Sequence, residues 1–156
     1  MPGKKFRFSL QKVLELRHHK TERARQRLAD AERELDEKKK QLRQARARLN
    51  ERQHSVKEGR ALSSAELRQA EAFRENARQS VRDAREAVER CQQRVEEART
   101  ELQEARRAEE AFEELRDKEK EEYDQEQAKA EVAFFDEQAV LRHARNGRSS
   151  LMQGGL

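Results

Sequence analysis

The stretch that decides the fold is residues 28–56, LADAERELDEKKKQLRQARARLNERQHSV. An apolar residue recurs there at every seventh position: Leu28, Leu35, Leu42, Leu49 and Val56. A second ladder of the same spacing follows in VRDAREAVERCQQRVEEARTEL, residues 81–102: Val81, Val88, Val95 and Leu102. Apolar residues at heptad spacing form the buried seam of a coiled coil. Two ladders around one short interruption predict an all-α fold, a long antiparallel two-helix coiled coil (a helical hairpin) with an overhanging C-terminal helix.

The composition excludes a large globular core. Charged residues make up 44% of the chain and hydrophobic residues only 33%, which is typical of long helices and coiled coils. The net charge of +4 is too small to create the positive field of a dedicated nucleic-acid binder. A single cysteine excludes an internal disulfide. No run approaches the ~20 apolar residues of a membrane span, and no apolar leader follows the basic start. We therefore expect a cytoplasmic protein.

The breaks in the pattern predict the element boundaries within one domain, residues 1–156. Helix one should run over about 9–57, with Ser9 as its cap. Gly59 suits the end of that helix, and Ser63 with Glu66 has the spacing of a capping box, so the turn should cover about 58–63. Helix two should then cover about 64–145. The glycine-containing stretch 146–156 is expected to be a loose tail.

Large and small residues alternate along both predicted seams. In an antiparallel pair each leucine or valine then faces a small residue, so that the helix axes can approach closely. One register places Leu42 beside Ala84 and Leu28 beside Ala98, although a slip of one heptad preserves the same alternation. Because each arm supplies the seam of the other, we expect the isolated protein to be a monomer.

No constellation for chemistry is visible in the sequence. His18 and His19 are adjacent, so their side chains point about 100° apart on a helix and cannot share a metal ion as an i, i+4 pair does. Cys91 falls at a seam position, where a thiol packs like alanine. There is no glycine-rich phosphate loop. We predict no catalytic, cofactor-binding or metal-binding residues, no small-molecule substrate, and hence no enzyme.

Three apolar features lie off the seam and are candidates for partner binding. Phe6 and Phe8 alternate with basic residues at the N-terminus, which favours a protein groove over nucleic acid. Phe73 lies beside the predicted turn, where it either staples the turn or anchors a partner. The predicted overhang of helix two carries apolar residues for which helix one has no counterpart: Val132, Phe134, Phe135, Val140 and Leu141. An apolar surface of this kind usually marks an interface.

The two ends of the chain carry a family resemblance. Its motifs are Phe6-x-Phe8-x-Leu10-x-x-Val13-Leu14-x-x-Arg17, Lys118-x-x-Glu121 and Asp136-Glu137-x-Ala139-x-x-Arg142. With the hairpin between them, nearly the whole chain resembles the flagellar export protein FliJ family. Proteins of this family are soluble parts of the type III export apparatus and are similar in shape to the gamma stalk of rotary ATPases.

The resemblance implies three partners for the hairpin. The paired helix termini would insert into the hexameric export ATPase ring and help it assemble and turn over. The ATPase-binding residues carried over by position are Phe6, Phe8, Leu10, Phe134, Phe135, Asp136 and Glu137. The resemblance also implies contact with the membrane export gate through Phe73, although Ala77 and Ser80 are smaller than the family pattern there. It further implies escort of export chaperones, and a peripheral location at the cytoplasmic face of the inner membrane.

Other functions are compatible with the same pattern. One alternative is a coiled-coil spacer or scaffold, which would self-associate through the overhang and have no effect on an ATPase. A second is the equivalent stalk of an injectisome secretion system. A third is a nucleic-acid-associated helical hairpin, whose binding would depend steeply on salt concentration.

Overall fold

The structure is a computed structural model that describes residues 4–57 and 62–154. These residues form two helices, α1 (Gln11–Lys57) and α2 (Ser64–Gln153), which pack against each other. The predicted all-α helical hairpin is confirmed. The chain divides into two compact units: residues 17–108 form one, and residues 1–16 with 109–156 form the other. Each unit contains residues of both helices.

The unit of residues 17–108 is held together by the predicted heptad seam. Five of its large seam residues are buried: Leu42, Val81, Val88, Val95 and Leu102. Leu28, Leu35 and Leu49 are half-buried. Small residues complete the layers, and Ala24, Ala45, Ala77, Cys91 and Ala98 are all buried. The large and small side chains that alternate in the sequence are therefore the ones that pack in the seam.

The cross-helix contacts of this unit show the predicted register. Leu42 and Ala84 belong to one core cluster. Ion pairs flank the seam in the same alignment: Arg27 with Glu101 at 3.4 Å and Arg94 with Glu34 at 3.1 Å. A slip of one heptad would move each partner by ~10 Å along the helix axis, because the rise is ~1.5 Å per residue. Such a slip is incompatible with these pairs.

α1 begins two residues later than predicted. The amide of Gln11 donates to the Phe8 carbonyl at 3.2 Å, and Leu14 donates to the Leu10 carbonyl at 3.0 Å. Ser9 lies in a turn before the helix and is exposed. Because Phe8 is buried, its position fixes the chain ahead of the first helical turn, so that Leu10 rather than Ser9 supplies the first helical acceptor.

α2 begins at the predicted capping box. The Ser63 amide donates to the Glu66 carboxylate at 3.0 Å, and the Glu66 amide donates to the Ser63 hydroxyl at 3.3 Å. This reciprocal pair satisfies two amides that have no partner within the helix. Of the predicted turn, 58–63, residues 58–61 with Gly59 lie outside the described residues.

α2 ends later than predicted, because the helix continues through Gly147 to Gln153. The expected loose tail over 146–156 is therefore helical as far as Gln153. A single glycine costs a helix only about 1 kcal/mol relative to alanine, and no proline follows to remove a donor. Gly147 therefore does not end the helix.

Candidate functional site

The N-terminal residues pack onto α2 around Tyr123. Phe8 is only 7% exposed, and Leu10 is half-buried. The Phe6 ring lies 5.6 Å from the Tyr123 ring at an interplanar angle of 52°, and the Tyr123 hydroxyl donates to the Lys4 carbonyl. The main contribution of Phe8 is therefore to the packing of this unit. Of the two phenylalanines, Phe6 is the more exposed.

A shallow groove borders this contact. Its volume is about 600 Å³, and its walls combine the two aromatic rings with three cations and one acid: Phe6, Arg7, Phe8, Gln11, Arg116, Asp117 and Lys120. Arg116 is paired with Asp117 at 3.3 Å. Arg7 and Lys120 are exposed, so the groove presents positive charge beside aromatic surface.

The second group of predicted site residues lies farther along α2. Phe134 and Phe135 are 50% and 67% exposed, and their ring centroids lie 6.0 Å apart in an edge-on arrangement. Asp136 and Glu137, which follow them, are exposed. Exposed apolar residues also flank the pair: Val132, Val140 and Leu141.

The structure does not bring the two predicted groups into one cluster. Phe6 contacts Tyr123, and Phe134 follows Tyr123 by eleven residues, or ~16 Å of helix. Phe6 thus belongs to an aromatic contact with Tyr123, Phe8 is buried beside it, and Leu10 is half-buried at the start of α1. Phe134, Phe135, Asp136 and Glu137 belong to a stretch of α2 whose side chains are exposed.

Phe73 makes a contact between the two helices near the predicted turn. Its ring lies 5.1 Å from the Arg52 guanidinium of α1, and Arg52 donates to the Phe73 carbonyl at 3.4 Å. A cation over an aromatic face contributes ~0.5–1 kcal/mol at an exposed site. The ring is nevertheless 47% exposed. Phe73 therefore ties α2 to α1, while about half of its ring remains exposed.

Charged residues beside Phe73 form a network along α2. Arg74 and Arg78 pair with Glu71, and Arg78 and Arg82 pair with Glu75. The Arg82 hydrogen bond, followed by that of Arg78, holds the pKa of Glu75 below its ordinary value. The carboxylates next to Phe73 are thus partly neutralised by arginines of their own helix.

Tyr123 and Arg52 were missed as contact residues in the sequence. Tyr123 continues the heptad line of helix two, fourteen residues after Glu109, so an extended count of heptads would have found it. Arg52 lies three residues after the seam residue Leu49, but the sequence gives no signal that its guanidinium covers an aromatic ring.

Two classes of site are absent from residues 4–57 and 62–154. No group of three or more His, Cys, Asp or Glu side chains there is placed to hold a metal ion. Neither of the two described helices contains a window apolar enough to cross a membrane.

These features define a class of protein: a two-helix hairpin whose exposed candidate binding residues lie on α2 and in the segment that precedes α1. The sequence model of one family, described as flagellar FliJ protein, matches residues 6–148. The chain belongs to this family, and is therefore a component related to flagellar export. No curated protein and no solved structure matches the chain.

Proposed function

We propose that the protein is a stalk-like activator of the export ATPase ring in the flagellar type III export apparatus. The observation that carries the proposal is the exposed aromatic pair Phe134 and Phe135 on α2. Aromatic residues are the commonest anchors of protein interfaces, and charged residues beside them supply specificity. Asp136 and Glu137 are the charges next to this pair.

The hairpin is suited to acting on a symmetric ring because it is itself asymmetric. Its helices differ in length, with 47 residues in α1 and 90 in α2. An asymmetric shaft presents different side chains to identical subunits, so it can favour a different conformation in each of them. Phe6 and the adjacent cationic groove supply a second contact to the ring in this proposal.

The other partners implied by the family resemblance belong to the same proposal. Phe73 contacts the membrane export gate through the exposed half of its ring. Export chaperones are carried by the hairpin, and the protein works in the cytoplasm at the inner face of the membrane. The family match favours this function over a spacer or a nucleic-acid-binding hairpin.

The ATPase proposal is tested with the double variant Phe134→Ser, Phe135→Ser. ATP hydrolysis by the cognate export ATPase is measured against the concentration of added hairpin protein. Each aromatic anchor contributes ~2 kcal/mol, so half-maximal stimulation should need at least about tenfold more of the variant. Circular dichroism should show an unchanged melt, because both rings are exposed.

Three control proteins sharpen this test. Leu151→Ser with Met152→Ser removes apolar side chains that are 83% and 90% exposed on the same helix, and should leave stimulation intact. Phe73→Ser should also leave it intact. Glu110→Lys with Glu114→Lys alters exposed charges on α2. If this last variant fails to stimulate while the double serine variant succeeds, the aromatic contact is wrong and a lateral electrostatic contact replaces it.

A further inference from the structure

Ion pairs between α1 and α2 lie on both flanks of the seam in residues 17–108. Glu34 directly precedes a seam leucine, and it pairs with Arg94 on one flank. Glu32 follows a seam leucine by four residues, and it pairs with Arg99 at 3.7 Å on the opposite flank. Positions of this kind supply the ion pairs between the helices of a coiled coil. In both places a carboxylate of α1 therefore meets an arginine of α2.

Two heptads nearer the turn, the flank of Glu32 sets like charges against each other. Fourteen residues after Glu32, α1 carries Arg46. Fourteen residues before Arg99, α2 carries Arg85. Because the helices are antiparallel, Arg46 and Arg85 lie opposite each other across the seam. The core cluster around Leu42 spans this layer, so the two helices are packed together there.

Two further cations of α1 lie beside this layer. Lys39 lies one heptad before Arg46 on the same line of the helix, and Arg43 lies on the adjoining line, three residues before Arg46. We call the four exposed cations the basic flank: Lys39, Arg43, Arg46 and Arg85. Among residues 17–54 and 62–108, no carboxylate pairs with any of the four within 4 Å. Their charge is thus directed to solvent.

Another layer of opposed arginines is neutralised by its own helix. One heptad before Glu32, Arg25 faces Arg106 in the same register. Glu22, three residues before Arg25, pairs with it at 2.7 Å. The residue three places before Arg46 is instead Arg43. The basic flank therefore concentrates positive charge at a layer where no carboxylate of the described residues is paired with it.

Like charges across two packed helices oppose their association, and a glutamate at position 46 would remove this cost. A local choice that lowers stability, next to layers that obey the opposite rule, is expected at functional sites. We propose that the basic flank binds an acidic polypeptide segment of a partner protein. The partner supplies the carboxylates that α1 supplies to Arg94 and Arg99 in the neighbouring heptads. An arginine guanidinium fits a carboxylate with two parallel hydrogen bonds, which favours arginine at such a site.

The apolar and aromatic side chains favour a polypeptide over nucleic acid or lipid. Phe73 is the one aromatic residue of residues 17–108, and it lies three heptads before Arg94, on the opposite flank. The basic flank therefore offers no ring on which a base could stack. Among residues 17–54 and 62–108, the exposed large apolar side chains are Leu67 and Phe73. Neither lies on the basic flank, so this surface has no apolar side chain to insert into a membrane.

The proposal is independent of the proposed ATPase and export-gate contacts. Phe134 and Phe135 belong to the other compact unit, whereas the basic flank lies within residues 17–108. Phe73 belongs to the same unit but to the opposite flank. Loss of binding at the basic flank is therefore separable from loss of either of those contacts.

Fluorescence anisotropy of labelled poly-L-glutamate with the full-length protein tests the binding, at physiological ionic strength. The variant Arg43→Gln, Arg46→Gln, Arg85→Gln should bind the probe at least about tenfold more weakly than the wild type. The matched control Arg23→Gln, Arg25→Gln, Arg106→Gln removes as many arginines from the other layer, and should bind nearly as well as the wild type. Equal losses in the two variants, or a wild type that does not bind, overturn the proposal.

Duplex DNA and phosphatidylserine vesicles test the choice of partner in the same assay. Each should bind more weakly than poly-L-glutamate, and the two variants should not differ in binding either of them. If DNA or vesicles bind more tightly than poly-L-glutamate, and the loss is confined to the variant of the basic flank, the partner is a nucleic acid or a lipid surface and the proposal is wrong.

The variant Arg46→Glu tests the geometry. Its glutamate should pair with Arg85 as Glu32 pairs with Arg99, so the hairpin should melt at a higher temperature than Arg46→Gln while binding poly-L-glutamate more weakly than the wild type. Adding Arg85→Glu restores like charges and should abolish the gain in melting temperature. If Arg46→Glu melts below Arg46→Gln, the two arginines do not face each other, and the basic flank does not have the arrangement that the proposal requires.

Discussion

Individual seam residues differ in what they contribute because their burial differs. Leu42 is 9% exposed and lies in a cluster with Ala45, Val81 and Val88, whereas Leu67 occupies an equivalent heptad position at the start of α2 and is 51% exposed. The heptad pattern alone assigns both leucines to the seam. What separates them is the exposure of the side chain, which the heptad pattern does not report.

The replacement Leu42→Ala should therefore destabilise the hairpin strongly. Deleting a buried leucine side chain removes its transfer free energy and leaves a cavity, and ~2–3 kcal/mol is expected for a seam of this kind. The matched replacement Leu67→Ala should cost under ~1 kcal/mol. Urea denaturation followed by circular dichroism measures both. Equal losses would mean that burial in the seam is not what stabilises the two helices.

The contacts of individual residues were predictable in the seam and poorly predictable among the exposed side chains. The sequence placed Val95, Cys91 and Ala98 correctly, because a period of seven residues fixes which side chains meet. It did not predict Arg52 over Phe73 or Tyr123 against Phe6, because these contacts depend on side-chain conformations that carry no sequence period. It also presented Phe8 as a free anchor, although the residue is buried.

At the scale of the element, a helix end is predictable where side chains specify it. Ser63 and Glu66 mark the start of α2 through two reciprocal hydrogen bonds, and both were readable from their spacing. The C-terminal end has no such device within 145–153. The helix therefore continues to Gln153, and composition alone predicted its end too early.

Gly147 is the element-scale position that substitution should improve. A methyl group added at its Cβ position would have nothing within 4 Å, so alanine meets no steric cost there. Gly147→Ala should raise the helical stability of the last turns by up to ~1 kcal/mol, because glycine loses more backbone entropy in a helix. Amide hydrogen exchange at residues 146–152 should slow, while exchange in residues 81–102 stays unchanged. Faster exchange near residue 147 would contradict the helical end.

At the scale of the whole molecule, the candidate binding residues come from both compact units. Phe73 belongs to residues 17–108, and Phe134 with Phe135 belongs to the other unit. The proposed contacts with the export gate and with the ATPase can therefore be removed separately, the first by Phe73→Ser and the second by the double serine variant. The sequence predicted the hairpin that carries these residues, because heptads determine the pairing of the helices. The partners rest instead on family membership, since exposed side chains show no pairing until a partner is present.

The single cysteine is buried in the seam, so its reactivity can report how often the two helices separate. Cys91 is 3% exposed in the seam and is the free thiol of the described residues. A thiol reagent reaches it only when α1 and α2 separate around it, so the labelling rate under native conditions reports the fraction of time that the seam is open. The Leu42→Ala variant should be labelled at least about tenfold faster if it loses ~2 kcal/mol of that closure. If a bound partner slows the labelling of Cys91, that partner stabilises the packing of the two helices around it.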